Sequence, residues 1–158
     1  MPNPRRIQSL YLIGQYRGKA SVIEYDKRDG DITMHGAFNI MTTVNAYAMV
    51  PLSGDLFLCG DYQSDNPSDD DFEYRAVFGR LSDSSKKLLW MSTLSGGHPL
   101  SSQGGYYAYD RCVGISYDSS QDSLVVVLES KSKELRANWQ QNDETDTVLV
   151  LLDGDGRT

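Results

Sequence analysis

Short apolar runs alternate with clusters of Gly, Asp and Ser along the chain, and only Lys131–Gln140 keeps a helical period beyond one turn. Apolar runs bounded by turn residues are typical of β-strands. Asp26–Asp31 is predicted to be a hairpin turn, in which Asp29-Gly30 supplies the positive φ that a two-residue turn needs. The pattern predicts an all-β chain of about ten strands. The predicted strands span Ser9–Gln15, Ala20–Tyr25, Ile32–Phe38, Ala46–Pro51, Leu56–Gly60, Glu73–Leu81, Lys86–Leu94, Cys112–Tyr117, Ser123–Glu129 and Thr147–Asp153.

One hairpin unit recurs along the chain. Leu10–Gly14 and Leu56–Gly60 are both apolar strands closed by Gly, and each leads through a polar loop into a second strand that begins at Ala. Leu124–Leu128 begins a third, less regular copy. A repeat of this size indicates an array of similar supersecondary units. The predicted divisions are an arm at 1–8, rich in Pro and Arg, and units at approximately 9–45, 46–105 and 106–158.

Composition narrows the class of partner. The net charge is −7, and the chain contains 10 Tyr and 14 Gly. An acidic chain lacks the basic face that nucleic acid requires, and no apolar run approaches the roughly 20 residues of a membrane span. We therefore expect partners to be other protein subunits or copies of this chain, with no nucleic acid and no membrane span.

The two cysteines, Cys59 and Cys112, each fall within a predicted strand. Free cysteines are among the most buried residue types, so we expect both to be buried thiols in a reducing compartment, with a disulfide between them as the less favoured alternative. The N-terminal segment has no apolar stretch of the kind that makes a secretory signal. These features predict an intracellular location, either cytoplasmic or cytoskeletal.

Candidate catalytic chemistry is sparse. The acidic segment 65–71 offers carboxylates for calcium, but it lacks EF-hand spacing, and acidic runs are usually solvated loops. His35 and His98 are the only imidazoles, and no Gly-x-Ser-x-Gly elbow or Walker lysine accompanies them. We therefore predict that the chain is not an enzyme, and we assign no catalytic residue, no cofactor and no metal site.

The aromatic residues allow two interpretations. Trp90 and a cluster at Tyr106, Tyr107 and Tyr109 could stack on a sugar or a quinone cofactor. On the outer strands of repeat units, aromatic side chains more commonly pack against the neighbouring unit. We therefore expect Trp90 and the tyrosines to serve packing between units.

The segment Ala76–Gly97 carries the most specific pattern, with Phe78-Gly79-Arg80-Leu81, a turn of Ser and Asp, and then Leu88-Leu89-Trp90. It resembles the bacterial-type repeat of seven-bladed β-propellers, and Leu56–Gly60 and Cys112–Asp118 are similar to other strands of that repeat. The resemblance implies four-stranded antiparallel blades. Propellers close with about four to eight blades, so this chain would be a partial β-propeller of about two and a half blades. Its first unit lacks an inner strand and its last lacks an outer one.

An incomplete set of blades predicts a role in an assembly, because unpaired strands at both ends invite pairing with another chain. We expect a non-enzymatic structural or protein-interaction subunit that neighbouring chains complete. The alternative is a fragment of a ligand-binding or enzymatic propeller whose active centre lies in the missing blades. The expected contact residues are Trp139, Leu149, Leu151, Arg5 and Arg6.

Overall fold

The apolar runs are strands in the computed structural model. It describes residues 9–17, 19–38, 41–50, 53–63, 74–85, 87–94, 110–130 and 145–158. Over these residues the fold is all-β, which confirms the predicted class. The ten strands are β1 (Ser9–Tyr16), β2 (Lys19–Asp26), β3 (Ile32–Phe38), β4 (Thr43–Met49), β5 (Leu56–Gln63), β6 (Tyr74–Leu81), β7 (Leu88–Leu94), β8 (Asp110–Asp118), β9 (Ser123–Ser130) and β10 (Asp146–Asp153).

The strands form three antiparallel sheets that follow one another along the chain. Sheet I has the order β1-β2-β3, sheet II the order β4-β5-β6-β7, and sheet III the order β10-β9-β8. Within each sheet, every strand pairs with its neighbour in sequence. Each sheet is therefore a simple meander, and the described contacts between sheets are made face to face rather than edge to edge.

The two-residue alternation of a strand gives each sheet two apolar faces. The strands β1, β5 and β9 are equivalent, since each carries the apolar run that begins at Leu10, Leu56 or Leu124. We name the faces by the residues of these strands. The leading face carries Tyr11 and Ile13 in sheet I, Phe57 and Cys59 in sheet II, and Val125 and Val127 in sheet III. The trailing face carries Leu10 and Leu12, Leu56 and Leu58, and Leu124 and Val126, respectively.

Both cores between sheets join a leading face to a trailing face. In the first core, Ile13 and Val22 of sheet I pack with Leu58 of sheet II. In the second core, Phe57 of sheet II packs with Val126 of sheet III. Sheet II is covered on both faces. This explains why β5 is buried from Leu56 to Asp61 and why apolar and polar residues do not alternate along that stretch.

Trp90 serves packing, as the sequence predicts. Its ring centroid lies 6.0 Å from that of Phe57 and 6.5 Å from that of Phe78. Its indole Nε1 donates a 3.1 Å hydrogen bond to the carbonyl oxygen of Gly154, in the turn after β10. Trp90 therefore joins the outer strand of sheet II to sheet III. The tyrosines at 106, 107 and 109 lie outside the described residues.

The prediction of free thiols is wrong, because Cys59 and Cys112 form a disulfide. Cys59 lies on the leading face of β5 and Cys112 on the trailing face of β8, with 5.3 Å between their Cα atoms. That separation falls within the range that a disulfide spans. The bond crosses the second core and links sheets II and III covalently.

The predicted hairpin turn at Asp26–Asp31 is confirmed, although its connection is wider than two residues. The strand β2 ends at Asp26 and β3 begins at Ile32, with only Gly30 at positive φ (78°). The Asp26 carboxylate accepts a 2.8 Å hydrogen bond from the backbone N–H of Arg28 and pairs with its guanidinium at 2.7 Å. These contacts stabilise a longer loop, since an Asp side chain that bonds two residues ahead competes with a tight turn.

We expect Gly60→Ala and Gly14→Ala to differ sharply, although the two glycines hold equivalent positions in β5 and β1. A Cβ on Gly60 would overlap the backbone carbonyl of Thr43, whereas nothing lies within 4 Å of one on Gly14. The expected loss in the free energy of unfolding is about 2–3 kcal/mol for Gly60→Ala and below about 0.5 kcal/mol for Gly14→Ala. Urea denaturation of the two variants measures both, and equal losses would contradict the packing of β4 on β5.

We expect removal of the disulfide by Cys59→Ala/Cys112→Ala to lower the free energy of unfolding substantially. The bond joins positions 53 residues apart, for which chain-entropy arguments give about 4 kcal/mol. Thermal unfolding with and without a reductant checks this. The reductant should lower the melting temperature of the parent chain and leave that of the double variant unchanged. A parent chain indifferent to the reductant would contradict the bond.

Candidate interaction surfaces

The outer faces of sheets I and III are apolar and exposed. On sheet I, the trailing face presents Leu10 and Leu12 of β1 and, across the ladder, Tyr25 of β2. On sheet III, the leading face presents Leu149 and Leu151 of β10. Exposed apolar side chains that adjoin one another on one sheet face are typical of interaction sites, whereas isolated ones are not.

The equivalent positions inside the molecule are buried. Leu10 and Leu12 are 47% and 54% exposed, whereas their counterparts Leu56 and Leu58 are 1% and 0% exposed. At the other end, Leu149 pairs with Val127 as Phe78 pairs with Cys59, so Leu149 holds the position of Phe78. Leu149 is 65% exposed and Phe78 is 4% exposed. The end faces are thus built like core faces but have no covering sheet among the described residues.

A polar cluster lies beside the disulfide, at one end of sheets II and III. Asp61 Oδ2 accepts hydrogen bonds from Thr43 Oγ1 (3.1 Å), Asn45 Nδ2 (3.0 Å) and Arg111 Nε (3.0 Å). Asn45 Nδ2 also donates to the carbonyl oxygen of Cys112 at 2.8 Å. The Asp61 side chain is almost fully buried. The cluster ties the inner strands of the two sheets with a charge-assisted network.

The same end of sheet III carries a matching pair of side chains. Asp110 and Ser130 face each other in the β8–β9 ladder, and Ser130 Oγ donates to Asp110 Oδ1. Thr43 and Asp61 are the facing pair at this end of the β4–β5 ladder. The hydroxyl lies on the inner strand in sheet II and on the second strand in sheet III. Both sheets therefore have a hydrogen bond from a hydroxyl to a carboxylate at this end, with the strands of the donor and the acceptor exchanged.

A pocket of about 290 Å³ opens next to Asp61, where the longer connections between strands begin. Its described lining holds one carboxylate, already bound by three donors, and neither an imidazole nor a thiol. No group of three or more His, Cys, Asp or Glu in the described part of the chain is placed to hold a metal ion. The lining suits hydrogen bonding to a polar group rather than acid–base chemistry. The pocket is lined by Gln15, Thr42, Thr43, Asp61, Gln63, Tyr74 and Arg111.

A second polar network joins all three sheets at the opposite end. Arg80 donates to Asp55 Oδ2 at 2.9 Å and to the carbonyl oxygen of Gly154 at 3.1 Å. Asp55 Oδ1 accepts from the backbone N–H of Asp83 at 2.9 Å, and Asp83 Oδ1 accepts from the Tyr11 hydroxyl at 2.7 Å. Partial burial, together with the bond to Asp83, raises the pKa of Tyr11. The phenol therefore stays a neutral donor across sheets I and II.

The expected contact residues are described only in part. Leu149 and Leu151 lie side by side on the outer face of sheet III, as an interface would require. Trp139, Arg5 and Arg6 lie outside the described residues. So do the side chains of His35 and His98 and the acidic segment considered for calcium.

The contact residues expected from the sequence include none on the exposed face of sheet I. Leu10, Leu12, Tyr25 and Ile32 are all exposed. The alternation that places Leu10 and Leu12 opposite Tyr11 and Ile13 is visible in the sequence. Together with a first unit that lacks an inner strand, it was a usable signal for a second contact face.

Comparisons with protein-family models, with curated proteins and with solved structures find no match for this chain. Across the residues that the structure describes, no helix has the length and apolar character needed to cross a bilayer. The observations that bear on the class of protein are therefore the three sheets and their apolar outer faces.

We expect Arg111→Ala to destabilise the chain far more than Arg28→Ala. Arg111 pairs with the buried Asp61, whereas Arg28 pairs with Asp26 on an open turn. Removing one partner of a buried pair strands the other charge. The expected cost for Arg111→Ala is about 3 kcal/mol, the lower end of the usual range because this guanidinium is a third exposed. Urea midpoints should show no measurable change for Arg28→Ala, and matching losses would contradict the cluster.

Proposed function

We propose that this chain is a partial β-propeller that acts as a non-enzymatic protein-interaction subunit. Its two outer faces are covered by other polypeptide in the working assembly. The partial propeller is supported by three antiparallel meanders that follow one another in sequence and pack face to face, the middle one four-stranded.

One observation carries the interaction role: the outer faces repeat the chemistry of the buried faces. Leu149 and Leu151 are nearly two-thirds exposed, whereas Phe78, at the position equivalent to Leu149, is in the core. Fully burying a Leu side chain contributes about 1.5–3 kcal/mol. Covering Leu149 and Leu151, together with the exposed apolar residues of sheet I, would therefore stabilise an assembly by several times that amount.

The role is tested by photo-cross-linking in the native cells. A benzoylphenylalanine residue replaces Leu149 on sheet III or Leu12 on sheet I, and Lys27, which is exposed on the β2–β3 loop, is the control position. We expect cross-links to polypeptide from both faces and none from Lys27. Faces that cross-link no more than Lys27 does would refute the proposal.

A ligand-binding role is the second candidate, and the pocket beside Asp61 is the observation that favours it. Its position at the end of the sheets, where long connections begin, suits binding, because loops carried on a rigid sheet commonly contact ligands. Silent faces in the cross-linking experiment, together with a small molecule released by denaturing the purified protein, would favour this role over the first.

The intracellular location remains a prediction, and the disulfide offers a direct check. Disulfides persist mainly in oxidising compartments. Rapid alkylation of native cells, followed by mass spectrometry, reports whether Cys59 and Cys112 are bonded there. Alkylated, unbonded cysteines would support a cytoplasmic location, whereas bonded ones would place the chain in an oxidising compartment.

A further inference from the structure

We infer that the polypeptide covering the outer faces is a second copy of this chain, docked head to tail. In this arrangement, the leading face of sheet III in one copy packs on the trailing face of sheet I in the other. The inference rests on the proposed function, because it identifies the partner of the same faces.

The two cores inside the molecule supply the first argument. Sheet I packs on sheet II, and sheet II packs on sheet III, each time through a leading face on a trailing face. The chain thus forms the same kind of interface twice, and like faces do not meet in either core. The two exposed faces are the leading face of sheet III and the trailing face of sheet I. A second copy can therefore cover both of them.

The order of side-chain sizes supplies the second argument. Across the leading face of sheet II, small Ala46 and Ala48 on the inner strand are followed by larger residues on the next two strands. Sheet III repeats this order, with Gly114 and Ser116 on β8, Val127 and Val125 on β9, and Leu149 and Leu151 on β10. A trailing face that fits the leading face of sheet II should therefore also fit the leading face of sheet III. Sheet I has such a face, with Leu10 and Leu12 in place of Leu124 and Val126.

Charge supplies the third argument. At the position of Arg80 in sheet II, sheet III carries Leu151, so the free face lacks the cation that Asp55 and Gly154 satisfy inside the molecule. On sheet I, the positions at the centre of the exposed face are likewise apolar, and Lys19 pairs with Tyr16 at the end of the ladder. Glu129 lies near the end of the face on sheet III, so the centres of the two faces can meet without burying an unpaired charge, which would be costly.

The number of sheets limits the stoichiometry. A leading-on-trailing contact is heterologous, and heterologous contacts generate closed rings when the rotation allows it. The described residues of each copy contribute three sheets, so two copies form a ring of six and three copies a ring of nine. Propellers typically close with about four to eight blades. The inferred assembly is therefore a dimer with two identical junctions.

The first measurement is the mass of the purified chain by sedimentation equilibrium. We expect twice the mass of one chain, with association that strengthens when NaCl is raised from about 0.05 to 0.5 M, because salt screens the repulsion between two acidic copies. A chain that is monomeric at every concentration and salt level overturns the inference. If Leu149 still cross-links to a different polypeptide in cells, the proposed function survives. If neither face cross-links to anything, both fail.

The second measurement tests the head-to-tail pairing by complementation. Leu149→Lys/Leu151→Lys disables the face on sheet III, and Leu10→Lys/Leu12→Lys disables the face on sheet I. Each variant alone should be monomeric, with dimerisation weakened by more than about 100-fold, since both junctions need one face of each kind. An equimolar mixture should form a two-chain complex through the one junction that remains intact.

A control variant separates the faces from general effects of charge. Leu89→Lys/Ser119→Lys makes the same change of charge at exposed positions away from both faces, and we expect it to remain a dimer. Circular dichroism and the melting temperature of each variant confirm that the sheets are intact. All three variants change exposed residues, so their monomers should fold.

Two results would overturn head-to-tail docking while leaving the faces as interaction surfaces. The first is a dimer of Leu10→Lys/Leu12→Lys alone, which would mean that sheet III packs on sheet III. The second is a cross-link from Leu149 in native cells that stays within one polypeptide, which would mean that further sheets of the same chain cover the face.

Discussion

The structure depends on one constraint, which is that a sheet with two apolar faces buries both of them only between two neighbouring sheets. Because side chains alternate between the two sides of a sheet, a sheet with apolar residues on both sides needs a neighbour on each side to bury them. Sheet II has such neighbours, and its β5 strand is buried almost throughout. Sheets I and III have the same alternation but one described neighbour each. Sheets I and III thus carry apolar residues on both faces, as a sheet with two neighbours does. Their outer leucines are exposed because the second neighbour is absent among the described residues.

Polar networks at the two ends of the sheets fix how the faces align. Near the disulfide, Asp61 collects donors from sheets II and III, and at the far end Arg80 reaches from sheet II to Gly154 beyond sheet III. Apolar packing alone tolerates small slips between faces, whereas buried charge-assisted bonds do not, because a slip would leave a charge without a partner. The networks therefore specify the arrangement that the cores stabilise.

The fold class could be read from the sequence, because strand-length apolar runs closed by Gly and Asp are a local signal. The ten strands lie at the predicted places, although β4 begins at Thr43 rather than at Ala46. The disulfide could not be read in this way, since it depends on two strands in different sheets that face each other. The same limit applies to Asp61 and Arg111, which are distant in sequence and meet only when sheets II and III pack.

The contact faces fall between these cases. Leu149 and Leu151 were predicted, because a terminal unit without an outer strand indicates an uncovered end. The face on sheet I needed one further step, which was to follow the alternation of β1 to its outer side. The hairpin turn at Asp26–Asp31 could be read from local residues, but its width could not, because the bonds of the Asp26 side chain to Arg28 stabilise a loop longer than two residues.

The disulfide makes the molecule mechanically uneven. Sheets II and III share a covalent bond as well as a core, whereas the described bonds between sheets I and II are all non-covalent, among them Tyr11 to Asp83 and the backbone N–H of Ala20 to the carbonyl of Met41. Proteins open first in the units with the weakest ties. We therefore expect sheet I to detach first under load or heat, while the disulfide keeps sheets II and III together.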